Sequence, residues 1–416
     1  MADLSGLVYE EVKKEYDAWK AQNLTLNMAR GKPGTAQLDL SSEMLTILSN
    51  PADCKDEGVE ARNYGELTGL ASAKRLFAEI LGCRPEQVFA AGNSSLTLMY
   101  DTVAKGMTHG LLHSERPWAK EEGLKWLCPT PGYDRHFTIT ESFGFELISV
   151  PMDANGPDMD MVEELIKDPK VKGMWCVPKY SNPSGIIYSK EVVHRIAAMK
   201  PAAPDFTLMW DNAYCVHEFD GDFVPFEDIL SLCEAAGNAD MVFEFASTSK
   251  ITLPGAGVAC FACSEANMAY MKKLLNAQLI SFDKLNQLRH VRFLKNKANT
   301  IEFMKKHAAI MKPKFDLVID KLEKEIAPLG IATWERPKGG YFVAVAAPGL
   351  AKRTWELCKE AGVVMTNAGA PYPYGKDPAD SVIRVAPSLP PLEELDKAMS
   401  IFCVSLKLAA LEVKKA

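Results

Sequence analysis

Three short segments in the middle of the chain hold the residue types that covalent carbonyl chemistry needs: Asn182-Pro183-Ser184-Gly185, Asp211-Asn212-Ala213-Tyr214 and Ser247-Thr248-Ser249-Lys250. A lysine amine forms a Schiff base with an aldehyde, and a carboxylate keeps a pyridine nitrogen protonated. Lys250 and Asp211 can fill those two roles. Tyr214 and Asn182 can set a phenol and an amide beside the ring oxygen of such a cofactor. A phosphate on it needs hydroxyls and backbone amides at helix starts. Asn93, Ser94 and Ser95, just before a helical stretch, form one candidate cradle, and Ser247 and Ser249 another. Each signal alone is weak, because a lysine after a serine-rich turn is usually solvated and Asp-x-x-Tyr or Asn-Pro-x-Gly is commonly turn chemistry. Their order, and their position after apolar runs, give them weight together.

Those apolar runs are the elements that must carry the three segments. Gln87 to Ala91, Glu146 to Val150, Val171 to Val177, Phe206 to Trp210 and Met241 to Phe245 read as buried strands, and Val258 to Cys263 as another. Leu96 to Lys105 and Lys190 to Met199 read as helices between them. The alternation predicts a mainly parallel sheet with helices on both faces. Ligands of such sheets bind beyond the carboxyl ends of the strands, where all three segments fall. After Asp283 the pattern turns helical, as two or three helices with a break near Pro313. A smaller α/β unit follows, with strands at Ile331 to Trp334, Gly340 to Ala346 and Ser381 to Val385 and a last helix from Pro391 to Leu408. The N-terminal helix, about Leu4 to Ala21, has no sheet of its own and is expected to pack on this second unit.

Composition excludes other classes. At 416 residues the chain suits two or three domains rather than one small binding module. The formal charge of -7 has no long block of either sign, which argues against a nucleic-acid groove or a polybasic membrane surface. Met1 to Tyr16 is polar and acidic, unlike a signal peptide, and no run reaches the roughly 18 apolar residues of a membrane span. Ten scattered cysteines fit a reduced, cytoplasmic protein. No internal repeat is present.

The three motifs in this order resemble the fold-type-I aminotransferases that include aspartate aminotransferase, and the resemblance covers nearly the whole chain. Ala29-Arg30-Gly31-Lys32-Pro33 resembles the family's glycine-bearing segment beside the substrate. Asn63-Tyr64-Gly65 resembles the segment whose tyrosine reaches the phosphate of the neighbouring subunit's cofactor. Pro131-Gly132-Tyr133 matches the loop whose aromatic residue stacks on the pyridine ring. Gly339-Gly340-Tyr341-Phe342 is similar to the small-domain strand, and Ile383-Arg384-Val385-Ala386 to the segment supplying the arginine for the substrate's α-carboxylate. The wording of Tyr180 to Gly185, Thr248 to Thr252 and Asp283 to Arg289 resembles a divergent bacterial subgroup of aspartate aminotransferases, related to the aminotransferase-like domains of certain transcriptional regulators.

The resemblance implies a large domain, residues 51–300, with a mainly parallel seven-stranded sheet that binds pyridoxal 5′-phosphate. A smaller α/β domain is built from residues 1–50 and 301–416. It implies a homodimer with shared active sites. It also implies a ping-pong transfer of the amino group of an L-amino acid, aspartate above others, to a 2-oxo acid such as 2-oxoglutarate. In that mechanism Lys250 holds the cofactor and then moves a proton, Asp211 keeps the ring nitrogen charged, and Arg384 forks the α-carboxylate with help from Asn182.

Two positions depart from the family. Many relatives place a phosphate-binding arginine eight residues after the lysine, where this chain has Val258. The partner-subunit arginine that holds a distal carboxylate aligns at about Ala277. Arg30, Lys32 and Lys284, close in sequence to family site segments, are the candidates to supply that charge.

Other signals have plainer readings. Cys260-Phe261-Ala262-Cys263 lacks a second pair or nearby histidine for zinc and reads as buried strand cysteines. His109 and His113 lack the glutamate of a zinc-protease motif and read as a polar loop. Asp134-Arg135-His136 is open between substrate contact, surface and supporting roles, and Leu411 to Ala416 reads as a solvated helix end. A β-lyase or decarboxylase would use the same lysine, aspartate and arginine. A non-catalytic effector-binding protein of the regulator type is a distant alternative, since the resemblance already begins at Ala29, ahead of which such regulators carry a winged helix. A nicotinamide enzyme would need a Gly-x-Gly-x-x-Gly after an early strand, and none is there.

Overall fold

The computed structural model describes residues 3–415; Met1, Ala2 and Ala416, the ends of the polar opening stretch and of the closing one, lie outside them. The main sheet runs Val88–Ala90, Ala259–Cys263, Val242–Ser247, Thr207–Asp211, Val171–Cys176, Lys125–Thr130, Glu146–Asp153. Only Ala259–Cys263 runs against its neighbours on both sides, and the other pairings among these seven are parallel. An eighth strand of two residues, Gly156–Pro157, hairpins onto the outer edge. The strands Val171–Cys176, Thr207–Asp211 and Ala259–Cys263 are buried along their whole length, as a sheet covered by helices on both faces requires.

Lys125–Thr130 is a strand that the apolar runs did not disclose. Only Trp126, Leu127 and Cys128 separate a lysine from Pro129, and a proline argues against an interior strand because it donates no ladder hydrogen bond. It nevertheless lies between Glu146–Asp153 and Val171–Cys176. Its carboxyl end leads into Pro131, Gly132 and Tyr133.

Asp283 caps the helix Lys284–Leu294 by accepting from Asn286 N at 3.0 Å. The chain then turns at Lys295, whose φ is 64°, and Asn296 caps the next helix through Asn299 N at 2.9 Å. That helix, Lys297–Glu325, passes through Pro313 without the expected break. A proline inside a helix costs about 3 kcal/mol. The burial of Met304, Met311, Phe315, Val318, Ile319 and Leu322 on one face offsets it.

A second, smaller unit has an antiparallel sheet of Thr333–Trp334, Val343–Ala346 and Val382–Val385, packed with the helices Ala351–Glu360 and Leu392–Lys415. The N-terminal helix, Tyr9–Lys20, lies on this unit as expected: Tyr16 Oη donates to Leu357 O at 2.9 Å and Lys20 pairs with Glu360 at 2.7 Å. Among the described residues no helix is long and apolar enough to cross a membrane.

Candidate active site

A cavity of about 420 Å³ opens where the carboxyl ends of the main strands face the smaller unit. Tyr133, Asn182, Asp211, Tyr214, Ser247, Ser249 and Lys250 line it from the large sheet, with Ser94 and Ser95 at the start of the helix Ser95–His109. Arg30, Gly31, Lys32, Phe342 and Arg384 close the other side. Segments more than 300 residues apart in the chain therefore share one chamber.

Asp211 ends its strand and is buried. Its Oδ2 meets His136 Nε2 at 2.9 Å, and the imidazole stacks on Trp175 with ring centroids 4.5 Å apart. Its Oδ1 is buried and has no partner among the described residues. A carboxylate oxygen left so is costly unless something fills the place, and a protonated ring nitrogen supplies the missing donor.

The Lys250 amine stands over the Tyr214 ring at 5.1 Å and the Tyr341 ring at 5.8 Å. It is open to the cavity, but protein atoms crowd it on its other sides. That desolvation holds its pKa below the ordinary lysine value, opposed in part by the Asp211 charge. Burial likewise pushes the Tyr214 phenol well up and the Tyr133 phenol up to about 12, so both are neutral hydrogen-bond donors at physiological pH.

The turn bearing Lys250 is held from behind. Thr248 N donates to Val258 O at 2.8 Å, and Val258 N donates back to Thr248 Oγ1 at 2.9 Å. Val258, buried, thus braces the turn instead of offering charge to a phosphate. What faces the cavity there is hydroxyls: Ser247 and Ser249 lie 3.1 Å apart, oxygen to oxygen, opposite Ser94, which caps its helix through Thr97 N. A helix start with four hydroxyls is an anion cradle. Asn93 does not line the cavity; its carbonyl accepts from Ser249 Oγ at 3.4 Å.

Arg384 is buried, and its guanidinium forms a hub. Nη1 donates to Asn182 Oδ1 at 3.2 Å and to Asp134 Oδ1 at 3.0 Å, while Nη2 donates to Thr366 Oγ1 at 2.8 Å. Phe342 lies beneath it, the ring centroid 4.8 Å away. Gly31 is needed for this packing, because a Cβ there would stand 2.7 Å from the Phe342 ring.

The candidates for a distal carboxylate divide. Arg30 and Lys32 are exposed at the cavity wall and make no ion pair among the described residues. Lys284 is not part of this cavity. It is buried and donates to Asn63 O at 2.6 Å and Gly65 O at 2.9 Å, so its charge is spent on the loop that carries Tyr64. Tyr64 itself does not line this chain's cavity and is 80% exposed. Arg135, exposed and without an ion pair among the described residues, lines the cavity where Lys284 does not. Sequence spacing did not separate Asp134, Arg135 and His136, yet the helix start turns them three ways: to Arg384, to the cavity and to Asp211.

Cys260 and Cys263 are buried in one strand, as read. His109 ends the helix Ser95–His109 rather than lying in a loop, His113 pairs with Asp240 at 2.8 Å, and Leu411 is buried rather than solvated.

A family model described as aspartate amino-transferase matches residues 2–416. An aspartate aminotransferase of Corynebacterium glutamicum is 46% identical over 412 residues, 99% of this chain and 95% of that protein. A crystal structure of an aspartate transaminase from the same species superposes with a TM-score of 0.96 at 46% identity, covering 98% of this chain and 96% of that one. The α-aminoadipate aminotransferase of Thermus thermophilus, solved with N-(5′-phosphopyridoxyl)-L-leucine, shares the fold, with a TM-score of 0.74 at 21% identity over 97% of this chain and all of that one. With matches of this extent to a site already built from its own residues, the chain belongs to the aspartate amino-transferase family.

Proposed function

We propose that this aminotransferase binds pyridoxal 5′-phosphate at Lys250 and moves the amino group of an L-amino acid, L-aspartate above others, to a 2-oxo acid such as 2-oxoglutarate. The observation that carries this reading is the pairing of two unmatched groups in one cavity: the depressed amine of Lys250 and the orphaned, buried Oδ1 of Asp211. The bound cofactor supplies an aldehyde for amino groups and a ring that withdraws electrons from the substrate α-carbon.

The chain's residues do the rest. Lys250 Nζ, whose charged form burial disfavours, would take the proton from the α-carbon and return it to the cofactor's aldehyde carbon. Asp211, oriented by His136, would hold a proton on the ring nitrogen. Tyr214 and Asn182 would donate to the ring oxygen, Tyr133 would pack against the ring, and Ser94, Ser95, Ser247 and Ser249 would hold the phosphate. Arg384 forks the α-carboxylate. Arg30, Lys32 and Arg135 form a cationic rim for a second carboxylate, which supports a four-carbon dicarboxylic substrate.

The exposure of Tyr64 and the anchoring of its loop by Lys284 support a homodimer in which Tyr64 serves the partner's phosphate. Ten unpaired cysteines support a reducing, cytoplasmic setting.

The test is an absorbance scan of purified protein titrated with L-aspartate. The reading requires the cofactor's aldehyde band to give way to its amine form with one equivalent of keto acid released. Carbon dioxide with alanine or β-alanine would instead identify a decarboxylase.

A further inference from the structure

Asp134 is a carboxylate standing where the substrate's carboxylate is expected. It begins the helix Asp134–Ser142 directly after Tyr133, lines the cavity, and accepts from Arg384 Nη1 at 3.0 Å. The pair also joins an element of the large sheet to the Val382–Val385 strand of the small one. Arg384 has no other carboxylate partner among the described residues, and its side chain is only 6% exposed against 32% for Asp134. A guanidinium that deep needs a counter-ion, because an uncompensated buried charge costs several kcal/mol.

The donor inventory makes the two carboxylates rivals. Nε is sealed from solvent and carries no hydrogen bond, so an incoming ligand reaches only the Nη1 and Nη2 edge. On that edge Nη1 is already shared between Asp134 and Asn182, and Nη2 gives one proton to Thr366. A bidentate fork to a substrate carboxylate requires the Nη1 proton that Asp134 holds. Asp134 is the partner able to leave, since it is one-third exposed and sits at a helix start beside the cavity mouth, whereas Asn182 is buried.

We propose that Asp134 is a displaceable counter-ion of Arg384: it occupies the guanidinium in the substrate-free enzyme and swings towards solvent when a substrate carboxylate takes its place. The proposal rests on the reading of Arg384 as the α-carboxylate site. Asp134 then sets the affinity of the site. If it holds Arg384 for about nine-tenths of the time, every incoming carboxylate binds about tenfold more weakly than the bare site would allow. The same factor applies to a dicarboxylate and to a monocarboxylate, so the choice between them is left to the second anchor on the cationic rim.

The experiment is calorimetric titration of the cofactor-loaded enzyme with succinate, an unreactive four-carbon dicarboxylate, and with acetate. It is paired with KM and kcat for L-aspartate. The variants are Asp134→Asn, Asp134→Ala, Asp134→Glu and Arg384→Gln. The expected result is succinate binding about 3- to 10-fold tighter in Asp134→Asn and Asp134→Ala, with a matching fall in KM and a similar fold gain for acetate. Asp134→Glu returns towards the parent values. A purely structural role gives the opposite sign, with KM raised and kcat lowered. Succinate binding unchanged or weakened in both Asp134→Asn and Asp134→Ala, with Arg384→Gln strongly weakened, overturns the proposal and leaves the Arg384 reading standing. Parent-like succinate binding in Arg384→Gln overturns that reading and the proposal with it.

Discussion

Glu244 offers a quantitative check on how this fold pays for an ionisable group in its core. It lies on the interior strand Val242–Ser247 and is 2% exposed; among the described residues its one hydrogen bond is from Asn212 Nδ2 to Oε1 at 2.9 Å, and Oε2 has no partner. Burial pushes its pKa from 4.5 up to about 8, with the Asn212 bond opposing and the Asp228 charge adding. The folded chain therefore keeps a proton that the unfolded chain releases above 4.5. With more protons bound in the folded state, stability falls as pH rises from about 4.5 to 8 and levels off beyond. The full span is worth about 5 kcal/mol at about 1.4 kcal/mol per pH unit.

Glu244→Gln keeps the shape and the acceptor for Asn212 but removes the titration. The substitution is expected to change little at pH 5 and to stabilise the protein by several kcal/mol at pH 9. For 416 residues, at about 2 cal/mol/K each, the unfolding entropy is about 0.9 kcal/mol/K, so about 5 kcal/mol is a rise of about 6 °C in Tm. Thermal melts of parent and variant in matched buffers from pH 5 to 9 give this difference directly, other titrations cancelling between them. The same Tm difference at pH 5 and pH 9, or a variant less stable than the parent at pH 9, would refute the reasoning.

Three further outcomes follow from the site. Gly31→Ala drives a Cβ to 2.7 Å from the Phe342 ring that supports Arg384, so KM for L-aspartate should rise about tenfold while Tm falls by only a few degrees; steady-state kinetics beside a melt check it. Lys284→Ala strands the carbonyls of Asn63 and Gly65, worth about 1–3 kcal/mol, and should lower Tm without moving the ratio of aspartate to alanine turnover. A shifted ratio would return Lys284 to the substrate. His136→Phe removes the one hydrogen bond the Asp211 carboxylate makes among the described residues, and a loss of about 10- to 100-fold in kcat/KM is expected. An effect below twofold would mean that His136 does not orient Asp211.

Much of the site was legible in the chain because strand-end placement is a local property. Apolar runs give the strands, parallel order puts their carboxyl ends together, and Asn182, Asp211 and Lys250 follow from that arithmetic. Pro129 hid the strand Lys125–Thr130, since a residue that weakens pairing in isolation is tolerated where neighbours on both sides complete the sheet. Pro313 invited a break for the same kind of local reason, and a long buried helix face overrode it.

Partner choice was not legible. Lys284 and Arg135 are equally plausible cations by spacing, yet one is folded onto backbone carbonyls and the other onto the cavity wall. Asp134, Arg135 and His136 are consecutive, and a helix turns successive side chains by about 100° each, so only the packed surroundings decide which meets Arg384, solvent or Asp211. The sequence carried the identity of the reacting groups and the strand ends that present them. Tertiary packing alone decided which charges are spent on structure and which are left free for substrate, because burial and hydrogen-bond partners are set by segments hundreds of residues apart.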